Sequence, residues 1–280
     1  MTIKTIAVGL LTASEAEWLL PAACALADQY RAHLIAIHPV EPLCPYVGFE
    51  GGIDTSAGPM FDQWQIEETE AIRKKFDQVT LAQSFVSEWR AQPVMVPGAE
   101  EFLVESVRSA DLVVLGQLDP ENGRRDHLRL QEYTIRESGR PVLVLPHKSA
   151  PMPIGTHALI AWSSTREATR AAHDARMLIK AGAQVDIVHI GGGALDSDAQ
   201  ATFRRDMAAA MDRHGFKTRL VTCPPGTGGV DAALLQVAFE QGADLIVSGA
   251  FGHSRIYDFV IGAVTRGLME TARIAVLFAK

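Results

Sequence analysis

The sequence lacks several features that would identify common classes of protein. Acidic residues outnumber basic ones, 33 to 26, for a net charge of −7, so no basic excess is available to bind nucleic acid through its phosphates. No apolar segment reaches the roughly 20 residues of a membrane-spanning helix. Residues 1–4 lead straight into a strand-like segment, which predicts no signal peptide. We therefore expect a cytoplasmic protein that binds neither nucleic acid nor membranes.

Cysteines and catalytic motifs are also scarce. Cys24, Cys44 and Cys223 follow no metal-binding spacing and cannot all pair, which favours isolated thiols in a reducing compartment. The chain contains no Gly-x4-Gly-Lys-Ser/Thr phosphate loop, no Gly-x-Ser-x-Gly nucleophile turn and no His-Glu-x-x-His helix. We therefore assign no catalytic residue, and slow ATP hydrolysis is the most turnover that we expect.

What the sequence does contain is an internal repeat. Four apolar segments recur in the same order: 5–8, 32–38, 109–116 and 141–144 in the first half, and 158–161, 183–189, 242–249 and 275–278 in the second. Helical patterns lie between them at 14–30, 66–81, 100–107, 165–181, 198–214 and 229–239. Strands that alternate with helices in this way predict parallel, doubly wound sheets.

The repeat predicts two tandem doubly wound α/β domains, residues 1–148 and 156–280, each with a mostly parallel five-stranded sheet. Pro151, Pro153 and Gly155 mark the connector between them. The offset between matching segments falls from 151 to 133, so the first half carries about 18 additional residues. We assign them to the Pro- and Gly-rich segment 41–60, which is either a cover over a neighbouring surface or an idle insertion.

Three glycines in the second half form a candidate phosphate site. Gly249 and Gly252 follow the strand-like segment 243–247, and Gly262 opens the next predicted helix. Glycines at these places let backbone N–H groups approach a phosphate, at the edge where open α/β sheets bind ligands. In the first half, Gly116 is followed by Gln117-Leu118-Asp119, with no second glycine at the required spacing. We expect that half to be degenerate for nucleotide binding.

This organisation resembles the universal stress protein family, specifically its tandem two-domain members, over essentially the whole chain. The family motif Gly-x2-Gly-x9-Gly-Ser/Thr fits Gly249, Gly252 and Gly262, but position 263 is Ala where the family prefers a hydroxyl. The resemblance implies the adenine nucleotide alpha hydrolase-like fold. It also implies a stress-response protein whose second half binds ATP or a related adenine nucleotide, with or without Mg²⁺, as a regulatory ligand.

The resemblance assigns ten candidate nucleotide-binding residues: Ser163, Ile190, Ser248, Gly249, Gly252, His253, Gly262, Ala263, Val264 and Thr265. Ser163 takes the place of an Asp that contacts adenine or ribose in the family, and Leu10 or Leu11 takes that place in the first half. We expect Thr265 to cap the helix start, although it could also replace the hydroxyl missing at position 263.

Several of these positions have a structural alternative. The glycines can serve tight turns and helix packing alone. His253 and Arg255 either bind phosphate or belong to a solvated loop. Trp162 either stacks on a base or packs beneath a helix. His38 and His189 occupy matching places in both halves, which favours hydrogen bonds to the backbone over catalysis.

Two other functions stay open. One is a nucleotide-free module that acts through protein partners in stress adaptation, which the departures at Ala263 and Ser163 favour. The other is a weak ATPase. In the family the closing strand of each domain forms the dimer edge. We therefore expect residues 142–145 and 276–278 to meet within the chain as a pseudo-dimer, with a further homodimer open.

Overall fold

The computed structural model describes residues 2–40, 58–93, 98–119, 125–191, 198–251 and 262–280. Within these ranges strands alternate with helices, which confirms the α/β class. The first half contains β1 (Thr5–Gly9), α1 (Ala13–Tyr30), β2 (His33–Val40), α2 (Gly58–Thr80), β3 (Ser87–Pro93), α3 (Ala99–Val107), β4 (Leu112–Gly116), α4 (Arg125–Glu137) and β5 (Val142–Leu145). The second half contains β6 (His157–Ala161), α5 (Arg166–Ala175), β7 (Gln184–Ile190), α6 (Asp198–Arg213), β8 (Lys217–Cys223), α7 (Gly229–Gln241), β9 (Leu245–Gly249), α8 (Ala263–Thr271) and β10 (Ala275–Ala279).

The strands form one sheet in the order β3-β2-β1-β4-β5-β10-β9-β6-β7-β8. Each half contributes five strands that pair in parallel. The closing strands β5 and β10 pair antiparallel at the centre, with Val144 opposite Val276 and Leu143 opposite Leu277. The prediction that the closing strands meet within the chain is confirmed. In each half the strand order reverses at one point, between β1 and β4 or between β6 and β9, and open sheets bind ligands at such points.

Helices cover both faces of the sheet because successive strand residues point to opposite sides. In β6, Ala158 and Ile160 pack in the apolar cluster that includes α5 and α6. Leu159, between them, packs in the cluster that includes α7 and α8. The carboxyl edge between β6 and β9 is therefore flanked by helices from two opposite faces.

Matching threonines begin the first helix of each half. The Thr12 hydroxyl accepts from the Glu15 amide at 3.0 Å, and the Thr165 hydroxyl accepts from the Ala168 amide at 3.2 Å. These N-caps satisfy amide groups that the first turn leaves without a helical partner. Position 15 in the first half therefore corresponds to position 168 in the second.

The structure corrects several element predictions. β3 and β8 were not predicted, and neither was α4, which begins in a charged segment. The helix predicted at 165–181 ends at Ala175, because the amides of Leu178 and Ile179 both bond to the Ala175 carbonyl and close a turn. Most of the segment 41–60 lies outside the described residues. Within the described residues, no helix is long and apolar enough to cross a membrane.

Candidate functional site

A cleft of about 530 Å³ opens at the switch point between β6 and β9. This volume lies within the range of about 300–1,000 Å³ that is typical of small-molecule sites. Eight of the ten predicted site residues line this second-half cleft: Ser163, Ile190, Ser248, Gly249, Gly262, Ala263, Val264 and Thr265. The other two, Gly252 and His253, lie outside the described residues, as does Arg255.

Gly249 and Gly262 differ in why they are glycine. A Cβ atom on Gly249 would lie 2.5 Å from the Ala168 amide nitrogen, so the close approach of α5 to β9 requires glycine there. A Cβ atom on Gly262 would meet no atom of the described residues within 4 Å, and its φ of −63° suits any residue. Helix packing explains Gly249, whereas packing gives no reason for Gly262.

The amino end of α8 faces the cleft through Gly262, Ala263, Val264 and Thr265. Gly262 is the N-cap and makes no side-chain cap hydrogen bond. The first amides of a helix have no partner within it, and together with the helix dipole they attract an anion. The prediction that Thr265 caps this helix is wrong, because Thr265 lies inside the first turn and is buried.

The turn after β6 forms another wall of the cleft. The Ser163 hydroxyl lies 3.3 Å from the Thr165 hydroxyl, which already caps α5. Trp162 is 8% exposed and packs in the core cluster with α5 and α6, and its buried indole N–H has no hydrogen-bond partner among the described residues. Packing beneath the helices is confirmed for Trp162. The residue also borders the cleft.

Strand ends provide the floor of the cleft. Ile190, the last residue of β7, is half-buried against the α7–α8 cluster. Ser248 on β9 is buried, and its hydroxyl donates to the Gly249 carbonyl at 3.1 Å. These two residues meet Ser163 in the cleft, because parallel strands bring their carboxyl ends to one edge.

The paired histidines serve the backbone, as their repetition predicted. Nδ1 of His38 donates to the Leu10 carbonyl at 2.8 Å, and Nδ1 of His189 lies 3.5 Å from the Trp162 carbonyl. Burial lowers the pKa of His38, against the opposing effect of its hydrogen bond to Leu10. His189 also borders the cleft.

Sequence reasoning missed several residues that line the cleft, among them Gln200, Arg204, Val230, Leu234 and Phe251. The first four lie near the starts of α6 and α7. Their position in the chain indicates that they are close to the carboxyl edge of the sheet, but it does not indicate which way their side chains point. Phe251 has a φ of 64°, a left-handed conformation that is strained for an aromatic residue. Such strain is common at functional sites.

The corresponding place in the first half is a cavity of only about 180 Å³. Glu15 fills part of it, since its carboxylate accepts from the Leu11 amide at 2.7 Å. Burial raises the pKa of Glu15 to about 7, although backbone N–H groups of Leu11, Thr12 and Gly116 oppose this. Asp119 and His147 also line this first-half cavity. A carboxyl group thus occupies space that stays open in the second half, where Ala168 corresponds to Glu15.

The described residues give no indication of a resident metal. No group of three or more His, Cys, Asp or Glu side chains among them could hold a metal ion. The cleft is lined by three residues with hydroxyl groups, Ser163, Thr165 and Ser248, but no carboxylate lines its described part. Because Mg²⁺ prefers at least one carboxylate beside phosphate oxygens, these residues do not by themselves form a magnesium site.

The fold and the cleft define a parallel α/β protein with a ligand-sized opening at the carboxyl edge of its second half. Residues 156–280 match the model of the universal stress protein family. The second half of the chain therefore belongs to that family.

Two solved structures share the fold over nearly the whole chain. A universal stress protein from Archaeoglobus fulgidus is 15% identical, with 99% of this chain and 96% of that one covered and a TM-score of 0.69. A Pseudomonas aeruginosa protein of unknown function is also 15% identical, with 99% and 92% covered and a TM-score of 0.57. The curated proteins contain no match to the sequence. The full-length similarity establishes the fold of both halves.

Proposed function

We propose that the second half of this chain binds an adenine nucleotide as a regulatory ligand. The observation that carries the proposal is the second-half cleft, which combines a volume of about 530 Å³ with the amino end of α8, where the N-cap Gly262 supplies no side-chain hydrogen bond. A mononucleotide needs an apolar wall for its base and N–H donors for its phosphate. The cleft offers both.

Different residues of the cleft would bind the phosphate and the nucleoside. The amides at Gly262, Ala263 and Val264 would hold phosphate oxygens at the helix start. Ser163 and Ile190 would face ribose and adenine, because they lie at the ends of the neighbouring strands β6 and β7. Binding then needs no catalytic group, and the proposed output is a change in the state of the protein rather than turnover.

Ala263 sets the expected strength of binding. A hydroxyl at this position would add one hydrogen bond to a phosphate, worth about 0.5–1.5 kcal/mol. Its absence corresponds to a loss of roughly 2- to 13-fold in affinity. We therefore expect weaker binding than a hydroxyl would allow, with the nucleotide exchanging at cellular concentrations.

The test exploits the open space around Gly262. In Gly262→Val the new Cβ atom would meet no atom of the described residues within 4 Å, so the fold should persist while the added side chain blocks phosphate access. Gly226→Val is the matched control, because Gly226 is exposed, has equally open surroundings and does not line the cleft. The measurements are thermal stabilisation and isothermal titration with AMP, ADP and ATP.

We expect the unmodified protein and Gly226→Val to bind, and Gly262→Val to lose at least tenfold in affinity. Absence of binding by the unmodified protein at millimolar nucleotide would refute the proposal and favour the nucleotide-free interaction module. Equal binding by both variants would place the ligand elsewhere.

A further inference from the structure

A second opening lies at the amino edge of the sheet in the second half, opposite the edge that carries the cleft. This amino-edge pocket has a volume of about 440 Å³, which is within the range of small-molecule sites. Its lining includes three basic side chains, Arg176, His173 and His214, and three apolar ones, Met177, Ile179 and Phe216. The pocket thus combines a cationic rim with an apolar wall.

The early end of α5 creates this pocket. Counted from the capping threonines, residues 176–181 correspond to residues 23–28, which are helical in α1. In the second half the helix ends at Ala175, and the chain turns along the amino edge instead. The Gly182 amide then donates to the Gly215 carbonyl at 3.1 Å. Backbone hydrogen bonding therefore ties together the two segments that form the rims of the pocket.

Arg176 is the permanent cation of the pocket. Its Nε donates to the His173 carbonyl at 2.9 Å, and its Nη1 contacts the imidazole of His214. Within the described part of the chain these are the partners of the guanidinium, and neither is a carboxylate. Asp174 also lines the pocket, but its carboxylate accepts from Nε of Arg170 at 3.1 Å. Because a guanidinium has five N–H donors, Arg176 keeps several for an anion.

The contact between Arg176 and His214 depends on protonation. A neutral imidazole nitrogen can accept from the guanidinium, whereas a protonated imidazole cannot and repels it. Burial lowers the pKa of His173, and the positive charges of Arg176 and His214 lower it further, against the opposing effect of Asp174. An anion between these basic groups would reverse the repulsion. Its binding should therefore be accompanied by proton uptake.

The charged groups that flank the pocket do not cancel its positive charge. Asp212, near the end of α6, accepts from the Thr218 hydroxyl at 2.6 Å. Lys180 and Arg213 are exposed cations next to the two rims. The local balance therefore favours an anionic ligand and becomes more favourable as the histidines are protonated.

We propose that the amino-edge pocket binds a small organic oxyanion and takes up protons as it does so. Arg176 would donate to the oxygens of the ligand, with the protonated imidazoles of His173 and His214 beside it. Ile179 and Phe216 are buried and would contact the apolar body of the ligand. The site is separate from the nucleotide cleft, and the inference does not rest on the proposed function.

The experiment uses methyl sulfate and phenyl sulfate, which carry the same single charge at about pH 5.5 and about pH 8 and differ in their apolar body. The imidazole C–H signals in NMR spectra follow binding at the pocket itself, and each signal is assigned by its loss in His173→Gln or His214→Gln. Arg176→Gln removes the guanidinium. Arg213→Gln is the matched control, because Arg213 is exposed, is not among the lining residues and gives the same change in net charge.

The affinity of the unmodified protein for phenyl sulfate should rise about 5- to 50-fold from about pH 8 to about pH 5.5, with up to about tenfold for each histidine whose pKa rises by one unit on binding. Phenyl sulfate should bind at least about threefold more tightly than methyl sulfate because of the apolar wall. Arg176→Gln should weaken binding by about 10- to 100-fold. Arg213→Gln should stay within about twofold, because exposed charges are screened.

Absence of a saturable shift in both imidazole signals at about pH 5.5 would overturn the inference, as would equal losses in Arg176→Gln and Arg213→Gln. An affinity that does not change with pH would overturn the proton uptake. If Arg176→Gln does not fold, His214→Gln, at an exposed position, takes its place, and unchanged affinity and pH dependence there would count against the site. Gly262→Val should bind phenyl sulfate like the unmodified protein, whereas a loss in that variant would place the anion in the cleft.

Discussion

Replacing Glu15 by glutamine should make the protein more stable at alkaline pH and remove one component of its pH dependence. Glu15 is 8% exposed, and its carboxylate accepts from the Leu11 amide at 2.7 Å beneath the first-half cavity. A glutamine side chain would keep the size of the group and the acceptor for Leu11, but could not ionise. The substitution therefore isolates the cost of a buried charge.

The magnitude follows from the pKa of Glu15. Burial raises this pKa from 4.5 to about 7, so the folded protein holds the proton more tightly than the unfolded chain. Stability from the protonated group is complete below pH 4.5 and is lost as the pH rises through 7. The full loss amounts to about 3 kcal/mol. Between about pH 5 and pH 8, the free energy of unfolding of the unmodified protein should therefore fall by about 2–3 kcal/mol relative to that of Glu15→Gln.

Urea unfolding followed by tryptophan fluorescence across this pH range measures the difference. A constant difference in unfolding free energy that comes from changed hydrogen bonds does not affect the test. Only the change of that difference with pH reports the ionisation of Glu15. Glu270→Gln, at an exposed position in the second half, controls for the change in net charge. A difference between Glu15→Gln and the unmodified protein that stays constant with pH would show that Glu15 ionises normally, and would refute the reasoning.

Three further substitutions test packing and the ion pair of the buried Asp186 in the second half. In thermal unfolding, Gly249→Ala should be less stable than the unmodified protein by about 1–3 kcal/mol, because its Cβ would lie 2.5 Å from the Ala168 amide nitrogen. Gly262→Ala should be nearly neutral in the same measurement. Asp186→Asn should cost about 2–3 kcal/mol in urea unfolding, because Asp186 is fully buried and accepts from Arg219 at 2.6 and 2.9 Å and from His157 at 2.9 Å. An Asp186→Asn variant as stable as the unmodified protein would contradict a role for this network.

The internal repeat predicted the topology because the central strands are buried on both faces. Such strands appear as continuous apolar segments, and Leu112–Gly116 and Leu245–Gly249 are examples. The edge strands β3 and β8 escaped prediction for the opposite reason. Lys217, Arg219 and Thr222 of β8 are exposed, so their polarity hides a strand whose pairing with β7 is fixed by the rest of the sheet.

Helix α4 escaped prediction because only one stripe of it is buried. Leu130, Thr134 and Ile135 are buried, while the intervening residues are largely polar. Gln131 is also buried and donates to the Gly116 carbonyl at 2.6 Å. A polar residue with a specific tertiary partner weakens the apolar periodicity from which a helix is predicted.

The candidate site was predictable where it depends on strand ends and not where it depends on helix rotation. Ser163, Ile190 and Ser248 meet in the cleft because each lies at the carboxyl edge of a parallel strand. Arg204 lies six residues into α6, and the direction of its side chain depends on how that helix packs against β7 and β8. No periodicity in the sequence gives that angle.

The glycines at the strand ends gain a different meaning from the comparison of the two halves. Gly116 and Gly249 occur at matching places, and a Cβ atom on either would collide with the first helix of the same half, at Glu15 and Trp18 of α1 or at Ala168 of α5. Both halves therefore keep the glycine for packing, whether or not the edge is open. What differs is the residue three positions after the capping threonine: Glu15 fills the edge of the first half, and Ala168 leaves room in the second. A glycine at this place is thus evidence for the fold, while the proposed capacity to bind rests on the small side chain of Ala168 and on Gly262, where a Cβ atom would meet no atom of the described residues.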